Sequence, residues 1–319
     1  MLIYLSYTKK FESNEKIMNI LISGGSGFIG KILVNSLLQK HKVTVLGRNL
    51  EKLKQAFPQN INKLSFENLT SHDAKNYDLI INLSGSNIGD KRWNERIKKE
   101  LIESRTSTNK KLIEWLISQN AKPRFFCASA VGIYGAHQTS SQCFDEYASL
   151  PLVTNDFLQK ICLSWEASLE KANEASIPVT TLRFGVVLKM GAGMLKKMEL
   201  PFRLNLGSVL GAGNQPLSWV HHSDLVNAIN FLIANPSITG PVNIVSPITI
   251  TQKEFAQQLA KILRRSLLFK TPSWLVELLF GEMGSYLLLK GQNVAPKRLL
   301  EMGFTFTYSS IENCLAKEY

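Results

Sequence analysis

The 319-residue chain lacks any run of about 18 consecutive apolar residues, which argues against an ordinary membrane-spanning helix. Its four cysteines, Cys127, Cys143, Cys162 and Cys314, show neither CxxC nor Cys/His ligand spacing. No disulfide framework and no metal centre are therefore expected, and a reducing, cytoplasmic compartment fits. Internal repeats and low-complexity tracts are absent too. Residues 1–17 (MLIYLSYTKKFESNEKI) have no long apolar stretch and no small-residue cleavage site, so they do not read as a secretory signal. They are expected to be an N-terminal extension, or the product of an upstream start codon, ahead of a folded domain opening at Met18.

Acidic residues are in short supply. There are 25 Asp and Glu against 37 Lys and Arg, a formal charge of +12. Such a charge can steer a phosphorylated ligand, a nucleic acid or a membrane surface, or simply reflect Lys-rich solvated faces; the partner expected is an anionic small-molecule substrate. The densest basic stretch, Lys91 to Lys111, also carries Glu95, Glu100 and Glu103. It reads as a salt-bridged helix face, not a nucleic-acid patch, and net charge alone leads to no expectation of a nucleic-acid or membrane partner. With 45% hydrophobic residues the chain is globular, with one large domain or two modest ones.

Ile20-Leu21-Ile22-Ser23 is a short apolar run of the kind that forms a buried strand. It leads into Gly24-Gly25-Ser26-Gly27-Phe28-Ile29-Gly30, then a helical spacing of Ile32, Leu33, Leu37 and Leu38, then a second strand, Lys42–Leu46. Strand, glycine turn, helix and strand within about 30 residues is the context of a dinucleotide site. Gly24 turns the chain off the strand, Gly27 admits a pyrophosphate to the backbone, and Gly30 lets the helix pack closely. The helix N-terminus adds unsatisfied N–H groups. An acid that would hold a ribose 2′-hydroxyl is missing after the second strand, where Leu46-Gly47-Arg48-Asn49 stands. Arg48 there suits a 2′-phosphate, hence NADP; its other reading is an exposed loop arginine.

The same G-x-x-G-x-x-G turn resembles that of extended short-chain dehydrogenase/reductases. Further segments follow in order: Asn82-Leu83-Ser84-Gly85, Asp90-Lys91-Arg92-Trp93, Ser104-Arg105, Ser129-Ala130-Val131-Gly132-Ile133-Tyr134-Gly135, Trp165-Glu166, Leu182-Arg183-Phe184-Gly185, Ser218-Trp219-Val220-His221, Gly291-Gln292 and Lys297-Arg298-Leu299-Leu300. Together, from about Met18 to the C-terminus, they resemble the atypical branch grouped as epimerase family proteins and related to nucleoside-diphosphate-sugar epimerases. The resemblance implies an NADP-binding Rossmann domain over 18–190, with about 218–247 returning to its sheet. It also implies a substrate-binding C-terminal domain over 191–319 and places Leu83, Ser84 and Gly85 beside the cofactor. The alternation of strands and helices by itself specifies a doubly wound parallel α/β sheet. The glycine-punctuated, helix-rich texture after Gly185 marks the smaller domain. Among the helices read from the pattern are Asn94–Glu103, Thr108–Gln119 and one long Asn155–Ala175.

Chemistry in such proteins needs a Tyr that transfers a proton, a Lys four residues on that lowers its pKa, and a hydroxyl that bonds the developing oxyanion. The Tyr/Lys pair is missing: Phe157 and Leu158 stand where the Tyr belongs, Ile161 and Cys162 four residues on. The one literal match, Tyr286 with Lys290, falls in the smaller domain. Ser129 fits the hydroxyl position, or caps a turn; Tyr134 is a proton-transfer candidate, or packing. Asp145 and Glu146 are either solvated or turned toward substrate, and Arg183 either reaches an anion or pairs with a neighbour. His221 and Asp224 read as structural groups at a helix start, and Cys162 as an inert thiol. Two functions remain: an NADP-dependent oxidoreductase or epimerase, and an NADP(H)-binding sensor without fast turnover.

Overall fold

The computed structural model describes residues 16–139 and 141–319. Six strands carry the first part of the chain: β1 (Asn19–Ser23), β2 (Lys42–Gly47), β3 (Asn62–Ser65), β4 (Leu79–Asn82), β5 (Arg124–Ala130) and β6 (Val179–Phe184). All but β3 (NKLS) are mainly apolar or β-branched, and β4 and β6 are buried along their whole length. Burial of both faces is what a parallel sheet under helices demands. The covering helices are α1 (Phe28–Leu37), α2 (Leu50–Ala56), α3 (Glu95–Ser118), α4 (Phe157–Ala167) and α5 (Glu170–Glu174).

After β6 come β7 (Val186–Leu188), α6 (Gly193–Arg203), β8 (Ser208–Leu210), β9 (Pro216–Leu217) and β10 (Trp219–His221). Then α7 (His222–Ala234) leads back to β11 (Gly240–Ile244), which pairs parallel with β6. The sheet order is β11-β6-β5-β4-β1-β2-β3, all parallel, so the chain reverses direction between β1 and β4. That reversal opens a crevice at the carboxyl ends of those two strands.

The remaining elements are β12 (Ile250–Thr251), α8 (Gln252–Ile262), β13 (Phe269–Thr271), α9 (Ser273–Phe280), α10 (Glu282–Leu287), α11 (Lys297–Glu301) and α12 (Ile311–Glu318). Thr251 and Glu254 form the capping box of α8. A second core joins Leu195 and Phe202 of α6, Trp219, Phe255 and Leu259 of α8, and Ile311, Cys314 and Leu315 of α12. The chain crosses between cores, because Leu299, Phe304 and Phe306 belong to the main one. Two carboxylates fasten this crossing to the start of α7. Asp224 accepts the N–H groups of Thr307 and Tyr308 at 2.9 and 2.8 Å, and Glu318 lies 2.8 Å from His221 Nε2 and 3.1 Å from His222 Nε2.

Two helix boundaries differ from the sequence pattern. The sequence pattern leaves 104–107 between two helices, yet α3 runs unbroken for 24 residues. Its hydroxyls bond back to carbonyls of the preceding turn, as from Ser104 to Leu101 and Ser107 to Glu103, and so compete with nothing. Conversely, the expected single helix over 155–175 is split. Asn109 of α3 donates to Ser168 Oγ at 2.8 Å and to the Trp165 carbonyl, and the helix ends there. Of the expected N-terminal extension, Lys16 pairs with Asp78 and Ile17 is exposed; residues 1–15 lie outside the described residues. Among the described residues no helix is long and apolar enough to cross a membrane.

Candidate functional site

The glycine turn after β1 is built by close approach. Gly24 has φ +76°, and a Cβ there would sit 2.7 Å from the Leu83 carbonyl carbon. A Cβ on Gly30 would collide with the Gly24 carbonyl oxygen, so α1 packs directly on the turn. Gly27 is the N-cap of α1 and offers no side chain to its first N–H groups, nor does an acid stand in the first turn. Those donors are left for an anion. Opposite, Ser23 and Ser84 share a hydrogen bond of 2.5 Å, and Asn82 accepts the Ser84 N–H, which holds Leu83–Gly85 against the turn.

Between these parts lies a cavity of about 320 Å³. Its walls are Gly24, Ser26 and Gly27 from the turn; Leu46, Gly47 and Arg48 from the end of β2; Phe66; Leu83 to Ser86 from the end of β4; and Ser104, Ser107, Thr108 and Lys111 from α3. The last four recur at i, i+3, i+4 and i+7 and so form one polar helix face. No acid lines the cavity, and among the described residues neither Arg48 nor Lys111 has a carboxylate partner. Glycine cradle, uncapped helix start and two uncompensated cations fit a dinucleotide carrying an additional phosphate.

Seven of the cofactor residues expected from sequence line this cavity: Gly24, Ser26, Gly27, Arg48, Leu83, Ser84 and Gly85. The other four support it. A Cβ on Gly25 would press on Val45, Gly30 seats the helix, and Phe28 and Ile29 pack on the main core, with Phe28 also against Gly193 of the α6 turn. The α3 face was missed. Its signal was the Ser-x-x-Ser-Thr-x-x-Lys spacing itself, which runs across the gap left between the two shorter helices.

Ser129 and Tyr134 are not brought to the cavity. Side chains alternate along β5, and Ser129 falls on the face of Cys127, toward α4, opposite Arg183 of β6. Its hydroxyl donates to Glu166 Oε1 at 2.7 Å. Arg183 grips the same carboxylate with Nε at 2.9 Å and Nη2 at 2.8 Å, and its Nη1 donates to Tyr134 Oη at 2.8 Å. Tyr134 in turn donates to Asn243 Oδ1 at 2.8 Å. All five polar groups are bonded to one another in the interior, and every one but Glu166 is at most 3% exposed. Burial pushes the Tyr134 phenol up despite the guanidinium beside it, so it is a poor base near neutrality. Arg183 therefore takes the second of its two readings and pairs with a neighbour.

The remaining candidates are also accounted for. Asp145 pairs with Lys297 at 3.1 Å, and Glu146 is buried, accepting the N–H groups of Asn243 and Arg298. Cys162 is an inert thiol, pushed up to about 12 by burial. Tyr286 stacks on Trp93, with the Lys290 ammonium 4.6 Å from the Tyr286 ring centre. The His221, His222 and Glu318 cluster gathers groups of ligand type. The Ser223 N–H donates to His221 Nδ1, however, so neutral His221 carries its proton on Nε2 and spends it on Glu318.

Comparison with known proteins gives the family and the fold. Residues 20–245 match the NAD dependent epimerase/dehydratase family, and 271–318 match a domain of unknown function, DUF1731. The chain is 33% identical over 302 residues to the epimerase family protein YfhF of Bacillus subtilis, covering 94% of this chain and 97% of that one. It is 34% identical over 308 residues to a chloroplastic SDR39U1 homolog of Arabidopsis thaliana, covering 94% and 86%. Among solved structures, human epimerase family protein SDR39U1 with NADPH superposes with a TM-score of 0.83 at 29% identity, over 94% of this chain and 99% of that one. UDP-glucose 4-epimerase of Thermus thermophilus, solved with NAD, shares the fold at a TM-score of 0.72 and 15% identity, over 94% and 97%. The chain belongs to the NAD dependent epimerase/dehydratase family, in the group of epimerase family proteins with a C-terminal DUF1731.

Proposed function

We propose that the chain binds NADP(H) in the cavity between β1 and β4 and acts as an oxidoreductase or epimerase on a small anionic carbonyl or hydroxyl compound, a nucleotide sugar among them. The observation that carries the cofactor is the pair Arg48 and Lys111, two cations without a counter-charge in a cavity that no acid lines. A 2′-phosphate supplies the missing charge; a bare 2′-hydroxyl leaves both cations unused. NADP(H) bound there supplies the hydride. Ser84, Ser104, Ser107 and Thr108 offer hydroxyls to its polar groups, and the first N–H groups of α1 meet its pyrophosphate. The substrate enters beside the Ser86–Trp93 loop, which the smaller domain spans: Lys197 of α6 donates to the Gly89 carbonyl at 2.8 Å.

In this reading Ser129 and Tyr134 are positioning residues that hold β5, β6 and α4 through Glu166 and Arg183, and the proton comes from substrate or water. One observation favours the second reading, a sensor that holds NADP(H) without fast turnover: both hydroxyls of the expected catalytic set are spent inside the fold. NADPH consumption against keto sugars and small carbonyls, with mass spectrometry of molecules retained on gentle purification, separates the two. Turnover, or a retained sugar nucleotide, supports the enzyme. Retained NADP with no turnover across the panel supports the sensor. Failure to bind either nucleotide overturns both.

A further inference from the structure

Exposed apolar side chains are usually scattered singly over a surface. Here several fall in one stretch of the C-terminal region, 268–280, and in the loop paired with its start. Leu204 and Leu206, in the loop after α6, are exposed, as are Leu268 and Phe269 at β13 and Trp274 and Leu278 on α9. Two pairings hold the segments together. β8 and β13 run parallel with Ser208 opposite Phe269, and the Ser266 N–H donates to Asn205 Oδ1 at 3.3 Å. The loops bearing Leu204, Leu206 and Leu268 therefore run side by side. Trp274 and Leu278 are four residues apart and share a face of α9; each is 64% exposed, and Val276 is the one buried residue of that helix.

The charge beside these side chains is of one sign. Between Lys261 and Phe280 stand Lys261, Arg264, Arg265 and Lys270, and Glu277 is the single acid. Arg264, Arg265 and Lys270 are exposed and, among the described residues, have no carboxylate partner. The basic face of α3 is different, since Arg96, Lys98 and Lys99 are each matched by a Glu. The expectation of no membrane partner weighed the net charge alone, without the placement of these cations beside exposed apolar side chains.

We propose that the edge formed by the loop after α6, β13 and α9 is a peripheral docking surface for an anionic lipid bilayer. Its Trp and Leu side chains enter the headgroup boundary while Arg264, Arg265 and Lys270 meet lipid phosphate. Charge complementarity selects this occupant. Two copies placed face to face would set these cations against each other with almost no acid between them. An anionic membrane matches them, and the net charge of +12 draws the whole molecule toward it.

Full-length protein is sedimented with vesicles of phosphatidylcholine alone and of an equimolar phosphatidylcholine–phosphatidylglycerol mixture, and its mass in solution is followed by light scattering. Binding to the anionic vesicles that weakens with salt is the expected result. Arg264→Ala with Arg265→Ala should lower the partition coefficient roughly thirtyfold, two cations at about 1 kcal/mol each and about 1.4 kcal/mol per decade. Trp274→Ser with Leu278→Ser should lower it at least about tenfold while the melting temperature and NADPH affinity stay at wild-type values. Absence of binding to the anionic vesicles, or equal binding to both kinds, overturns the proposal, as does undiminished binding by both variants. A dimer that Trp274→Ser with Leu278→Ser splits gives the edge to a second copy and also overturns it.

Discussion

Arg48 and Lys111 reach the same cavity from elements far apart in sequence, the end of β2 and the third turn from the C-terminal end of α3. If they share a 2′-phosphate, each removes a charged hydrogen bond when truncated. Arg48→Ala should cost about 1.5–3 kcal/mol of NADPH binding, roughly 10- to 150-fold, with Lys111→Ala in the same direction. NADH affinity, which involves no 2′-phosphate, should hardly change. Calorimetric titration of both nucleotides checks this, and equal losses for the two would remove these residues from phosphate recognition. Ser129 makes the opposite prediction. Its hydroxyl is one of three donors to Glu166, so Ser129→Ala weakens an interior carboxylate–guanidinium pair. The expected result is a stability loss of about 1–3 kcal/mol in urea unfolding, with NADPH affinity within about twofold of wild type. An unchanged unfolding midpoint combined with lost turnover would return Ser129 to catalysis.

At the scale of elements, the sequence pattern made β1, the glycine turn, α1 and β2 legible, because each depends on short-range periodicity and on glycine geometry. It hid the α3 face. Hydroxyl side chains are ambiguous locally: they break helices when they compete with the backbone and leave them intact when they bond to the previous turn, as Ser104 and Ser107 do. The α4–α5 break was hidden for another reason, since it falls where Asn109, about 60 residues away, bonds Ser168. The joint between α7 and α12 was equally invisible, and it makes stability depend on pH. His221 and His222 face Glu318, Asp224, Lys189 and the Tyr308 ring. Burial, only partly opposed by Glu318, pushes both imidazoles below the ordinary value of about 6.5. Below that value the unfolded chain takes up protons before the folded one does. Their contribution is therefore complete above about pH 6.5 and is lost as the pH falls toward the folded pKa values. The melting temperature should drop between about pH 7.5 and about pH 5.5, and His222→Gln, which removes one of the two titrating rings, should shrink that drop. A drop of equal size in the variant would place the acid sensitivity elsewhere.

For the molecule as a whole, the two cores and the cofactor cavity respond differently to loss of the C-terminal end. The cavity is lined by residues between Gly24 and Lys111, whereas α12 fills the second core with Ile311, Cys314 and Leu315 and supplies Glu318 to His221. The segment just before α12 gives Leu299, Phe304 and Phe306 to the main core, so the chain ties the cores together and they should melt in one cooperative transition. A chain ending at Ser309 forfeits the burial of Ile311 and Leu315, about 1.5–3 kcal/mol each, and leaves His221 without its carboxylate. A combined loss of about 3–6 kcal/mol corresponds to a fall in melting temperature of roughly 4–9 °C, at about 1.5 °C per kcal/mol for 319 residues melting together. Differential scanning calorimetry should show one lowered peak instead of the loss of one peak from two. Below that temperature the shortened chain should still bind NADPH within about threefold of the full chain, because nothing removed touches the glycine turn, Arg48 or the α3 face. Two separate peaks in the intact protein would show that the cores fold independently. A large loss of NADPH affinity in the shortened, still folded chain would show that the C-terminal domain completes the cofactor site.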